Sequence, residues 1–135
     1  VLVTGGAGYI GSILTPLMLQ RGYQVTVLDT FERGDTALAE CCRYETFRPI
    51  RGDARNTELL DALVPQHDVI IPLAALVGAP LCKQDPIGAE TINRDAVLAV
   101  VERASRDQMV LYPNTNSGYG VGSGDKFCTE TTPLN

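Results

Sequence analysis

The sequence predicts an α/β fold, a doubly wound parallel sheet of five strands in the order 3-2-1-4-5. Three observations carry that reading. Short strand-like runs at residues 1–3, 24–29, 46–51, 68–73 and 109–112 alternate with stretches that read as helix or connection, the signature of successive βαβ units. Residues 1–12 (VLVTGGAGYIGS) pass from strand through a glycine turn into helix without a linker. Asp29 closes the second strand-like run, 18 residues after Gly11. Right-handed crossovers between parallel strands then leave few other strand orders.

The glycine turn is the most informative stretch. Gly5 suits a turn with positive φ, Gly8 removes a Cβ so that a ligand can touch backbone, and Gly11 lets the helix pack close to the strand. The helix that opens here (Ile10, Ile13, Leu14, Leu17, Met18) points unpaired N–H groups and a positive dipole end over Gly8, which suits a pyrophosphate. A Walker-type phosphate loop would need a lysine after its last glycine, and Gly11 is followed by Ser12. Pro16 removes one backbone bond inside the helix and predicts a kink or a widened turn. The helix ends near Arg21, with Gly22 as its C-cap. At the tip of the second strand the Asp29 carboxylate is placed to accept hydrogen bonds from a ribose.

Residues 31–43 form a polar connection with a short helix at 35–42, and residues 46–51 the third strand. Leu59, Leu60, Leu63 and Val64 give the next helix one apolar face, which Pro65 ends. His67 falls in the turn at the sheet edge opposite the ligand crevice, which predicts a structural role. The continuous apolar run at 68–73 reads as a buried parallel strand, and residues 78–86, with Lys83, as a loop. A long helix follows at 87–105, with a stripe of Ile92, Ala96, Val97, Val100, Val101 and Ala104 facing the sheet. The fifth strand is 109–112.

The motif TGGAGYIGS resembles the cofactor loop of the extended short-chain dehydrogenase/reductase family, the NAD-dependent nucleotide-sugar epimerases and dehydratases. The resemblance implies a Rossmann-type domain over residues 1–135 that binds NAD through Gly5, Gly8, Tyr9, Ile10 and Gly11, with Asp29 on the adenosine ribose. It implies that Asp53 reaches the adenine amino group while the backbone of Ala54 touches the ring, and that Leu73, Ala74 and Ala75 pack under the ribose and pyrophosphate. Pro72 stands where the family often has His, a looser match. Asn93 takes the place of the family's helix asparagine beside the nicotinamide side of the pocket. Counting back from Tyr119-Gly120 puts Thr115 on the catalytic Ser/Thr, whose hydroxyl can both donate to and accept from a sugar oxygen. The family's Tyr-x-x-x-Lys pair would follow a stretch like TETTPLN; it does not occur in residues 1–135, so the span is expected to stop before that segment and the substrate-binding part.

Composition narrows the partners. Sixteen acidic against eleven basic residues give a net charge of −5, which argues against nucleic acid or an anionic membrane surface. The longest apolar stretch, 69–82, is broken by Pro72 and Pro80 and is too short to cross a membrane as a helix. Four cysteines without C-x-x-C spacing or a nearby histidine predict reduced thiols and no metal, and with no secretory pattern at the opening residues they predict a cytoplasmic protein. Homodimerisation is left open. The tripeptide Arg51-Gly52-Asp53 spells an adhesion motif, which has little weight in that setting. Two other readings share the fold: a non-catalytic NAD-binding regulator and an NADP-linked ketoreductase.

Overall fold

The computed structural model describes residues 1–32, 34, 36–115, 129 and 131–132. Arg33, Tyr119, Gly120, Lys126 and Cys128 lie outside the described residues. The described elements are β1 (Leu2–Thr4), α1 (Gly11–Gln20), β2 (Val25–Asp29), β3 (Phe47–Arg51), α2 (Thr57–Leu63), β4 (Val69–Pro72), α3 (Ala79–Gln84), α4 (Pro86–Glu90), a π-helical turn (Thr91–Asp95), α5 (Ala96–Arg103) and β5 (Met109–Val110). All strands pair in parallel, in the order β3-β2-β1-β4-β5 that the sequence predicts.

Strand alternation sends the central strands' side chains into two apolar layers. Leu2, Leu28 and Ile70 pack with Leu60, Leu63, Val64 and Val100 on the face covered by α2 and α5. Val3, Val25, Val27 and Ile71 pack with Leu19, Leu38 and Cys41 on the face covered by α1 and a kinked 3₁₀ segment, Thr36–Arg43. Burial on both sides is why the fourth strand reads as a continuous apolar run. Pro49, which cannot donate to a ladder, sits on β3, an edge strand.

Helix α1 runs from Gly11 to Gln20 with Pro16 inside it. Other local expectations change. Residues 79–84, expected as loop, are helical, with Pro80 in the first turn where its missing N–H costs nothing. The expected long helix starts at Pro86, capped by the Asp85 carboxylate on the Gly88 N–H at 2.8 Å, and contains the π turn. Ala96 and Val100 are buried as the stripe requires, but Val101 is 51% exposed and Ala99 packs on the core instead.

His67 is structural. Its Nδ1–H donates to the Leu63 carbonyl at 2.7 Å, so its Nε2 accepts from the Thr26 hydroxyl at 2.8 Å, tying the end of α2 to β2. Burial depresses its pKa below the usual 6.5, against the opposing pull of the Leu63 carbonyl. The unfolded chain therefore takes up the proton first, and the His67 contribution is complete above pH 6.5 and declines as pH falls below it. Urea unfolding of wild type and His67→Gln between pH 7.5 and 5 checks this: the wild type should lose stability more steeply than the variant.

Candidate functional site

The carboxyl ends of β1, β2, β3 and β4 open onto one crevice of about 530 Å³, within the usual range for small-molecule pockets. Its lining includes Gly5, Gly8, Tyr9, Ile10 and Gly11 from the turn after β1, Asp29 and Phe31 from the end of β2, and Asp53, Ala54 and Arg55 from the end of β3. Leu73, Ala74, Ala75 and Leu76 after β4 and Ile92 of the π turn complete it. This is the switch point of the strand order, where doubly wound sheets bind ligands.

The glycine turn is shaped by two close approaches. Gly5 has φ +72°, and a Cβ there would run into the backbone of Leu73 and Ala74, so only glycine lets the β1 turn lie against the β4 tip. A Cβ at Gly11 would strike the backbone of Gly6. The contact that Gly11 permits is thus with the turn itself, and not with the strand as the sequence suggested; Gly6 stands between it and Val27 of β2. Beyond the turn, the backbone N–H groups of Tyr9, Ile10 and Gly11 meet no acceptor among the described residues. Three unpaired donors at the positive end of a ten-residue helix, facing a crevice, make an anion cradle.

Asp29 accepts the Ala7 N–H on Oδ2 at 2.9 Å and the Phe31 N–H on Oδ1 at 2.8 Å, so it fastens the glycine turn to the end of β2. Its two oxygens retain lone pairs for a ligand hydroxyl. Phe31 itself takes φ +56°, a strained turn that puts its ring on the crevice and under the Arg51 guanidinium at 5.3 Å.

At the other end Asp53 is held by its neighbour. Oδ1 accepts the Arg55 backbone N–H at 2.8 Å and Nε–H at 3.0 Å, while Oδ2 accepts Nη2–H at 2.5 Å and shares the Nε–H at 3.1 Å. This grip keeps the Asp53 carboxyl below the usual carboxylate range against the cost of its partial burial. Asn93 reaches the crevice through the loop after β4: its Oδ1 accepts the Leu76 N–H at 2.8 Å and its Nδ2 donates to the Leu76 carbonyl at 2.9 Å. Thr115 is exposed beyond the end of β5, its N–H on the Asn114 side chain at 2.8 Å, and is not part of the crevice lining.

The sequence reading did not single out Phe31, Arg55, Leu76 or Thr91. A basic residue two positions after a turn aspartate was a readable sign for Arg55; nothing in the local pattern marks the other three.

The family model for the NAD dependent epimerase/dehydratase family matches residues 1–135. The chain belongs to that family. Similar members include UDP-glucose 4-epimerase of Halalkalibacterium halodurans, 43% identical over 131 residues and matched over 89% of this chain and 36% of its own length. UDP-N-acetyl-alpha-D-glucosaminuronate decarboxylase of Bacillus cytotoxicus is 32% identical over 124 residues, matched over 90% of this chain and 38% of its own. The family fold is seen in the Thermus thermophilus UDP-glucose 4-epimerase complex with NAD, which superposes with a TM-score of 0.84 at 25% identity over 99% of this chain and 43% of that one. The chain thus spans little more than a third of the length of the curated relatives it matches. No described helix is long and apolar enough to cross a membrane.

Proposed function

We propose that the crevice holds NAD and that the chain serves chemistry on a nucleotide-linked sugar that passes through a keto form. The observation that carries the reading is the trio of unpaired N–H groups at Tyr9, Ile10 and Gly11 above the Gly5 turn, a cradle shaped for a pyrophosphate, with the Asp29 carboxylate within the same lining. In this reading Gly5, Gly8, Tyr9, Ile10 and Gly11 take the pyrophosphate and Asp29 the adenosine ribose. Asp53 and the Ala54 backbone take the adenine. Leu73, Ala74 and Ala75 form the floor, and Asn93 fixes that floor through Leu76. NAD, when bound, supplies a reversible hydride acceptor. Thr115 supplies a hydroxyl for the reacting sugar oxygen.

The relatives' names span an epimerase, a dehydratase and a decarboxylase, which supports the sugar-nucleotide class without choosing a branch. The free thiols Cys41, Cys42 and Cys82 fit a cytoplasmic setting.

Amide chemical-shift mapping by NMR tests the reading on the 14.5 kDa chain. Added NAD should move the amides of residues 5–11, 29–31, 53–55 and 73–76, and shifts centred on the His67 end of the sheet would overturn the assignment. Residues 1–135 contain no Tyr-x-x-x-Lys pair, and a lone threonine hydroxyl is far too weak a base near neutral pH. The same preparation mixed with UDP-, dTDP- and GDP-sugars is therefore expected to form no NADH; turnover would refute the division of labour between the crevice and that pair.

A further inference from the structure

We infer that Arg55 is the specificity-determining positioning residue of the base end of the crevice: it fixes the Asp53 carboxylate in the one orientation from which it accepts from an exocyclic amine. The inference rests on the reading of the crevice as a dinucleotide site.

Arg55 brings three N–H groups to the Asp53 carboxylate: its backbone N–H on Oδ1 at 2.8 Å, its Nε–H shared between Oδ1 at 3.0 Å and Oδ2 at 3.1 Å, and its Nη2–H on Oδ2 at 2.5 Å. A bidentate guanidinium holds a carboxylate in one plane, which a lysine cannot do. A free aspartate at a turn would rotate about its side-chain bonds; this one is fixed in the crevice wall.

The guanidinium is itself held from the far side. Arg55 Nη1 donates to the Thr91 hydroxyl at 3.2 Å, across 36 residues of sequence. Thr91 opens the π turn, and its hydroxyl donates back to the Ile87 carbonyl at 2.9 Å. The same turn puts Ile92 in the lining and Asn93 on Leu76. One helical turn thereby braces both the base end, through Thr91, Arg55 and Asp53, and the floor, through Asn93. Glu32 and Asp85 are the other charges that act on the guanidinium, and neither forms an ion pair with it.

The chemistry implied is recognition of a base that carries an amine where Asp53 accepts. The discriminating probe is nicotinamide hypoxanthine dinucleotide, in which a carbonyl oxygen replaces the adenine amine. One hydrogen bond to a carboxylate corresponds to roughly 10- to 100-fold in affinity. Calorimetry on the 135-residue chain should show wild type preferring NAD over the hypoxanthine dinucleotide by about that factor. In Arg55→Ala the preference should collapse to within ~3-fold while affinity for the hypoxanthine form barely changes. Arg55→Lys should behave like Arg55→Ala, since charge without the fork does not fix the plane. Equal weakening for both dinucleotides in Arg55→Ala would make the residue merely structural and overturn the proposal, as would an unchanged preference or equal binding of both by wild type. Binding of neither dinucleotide by a folded wild type would refute the dinucleotide reading itself and this inference with it.

Discussion

Gly5→Ala is expected to destabilise the chain by at least ~2 kcal/mol more than Gly22→Ala and to lower NAD affinity about 100-fold. Both glycines have positive φ, +72° and +84°, so both substitutions incur the cost of a left-handed backbone. At Gly22 nothing lies within 4 Å of the added Cβ, whereas at Gly5 it would meet Ala74 Cα at 2.6 Å and the Leu73 carbonyl carbon at 2.7 Å. Backbone cannot swing aside as a side chain can. The β1 turn must lift off the β4 tip, and the two halves of the cradle then separate. Urea unfolding measures the first effect and calorimetric titration the second. Equal losses for the two variants would show that the approach of Gly5 to Ala74 is not a constraint on the site.

Asp29 is expected to make the chain prefer NAD to NADP by at least ~30-fold, and Asp29→Asn to narrow that ratio by about tenfold or more. A 2′-phosphate placed at the ribose position meets a half-buried carboxylate already fixed by the Ala7 and Phe31 N–H groups, so it cannot turn away. Asparagine removes the charge and keeps one acceptor. Some affinity for both cofactors is lost with the second backbone bond, so the ratio is the quantity to read. Calorimetry of both cofactors with both proteins gives it, and an unchanged ratio in Asp29→Asn would remove Asp29 as the discriminator.

Much of this was readable before the fold was seen. The glycines at 5, 8 and 11 and the aspartate at 29 define one βαβ unit by spacing alone, and the strand-like runs at the other strands extend it to the observed order. Each of those signals is local, and a parallel sheet buried on both faces has few ways to connect them. What escaped was set by contacts distant in sequence or by a change of helical period. The reading of residues 87–105 assumed a constant 3.6 residues per turn. Thr91 instead opens a π turn, and the extra residue rotates its surroundings by roughly 100°. Ile92, on the stripe by spacing, accordingly lines the crevice, and Asn93 reaches Leu76. The Arg55–Thr91 bond crosses 36 residues, and no local pattern encodes it. Residues 79–84 carry too few apolar repeats for a helix to show in sequence, and Pro80 within them and Pro86 just after them read as loop although each sits in the first turn of its own helix.

If the crevice at the carboxyl edge of the sheet is an NAD site built from residues 1–135, calorimetric titration of the folded chain with NAD will show saturable one-to-one binding that ADP-ribose displaces and Gly5→Ala weakens. A cooperatively folded chain that takes up no NAD at millimolar concentration means that the crevice is not that site.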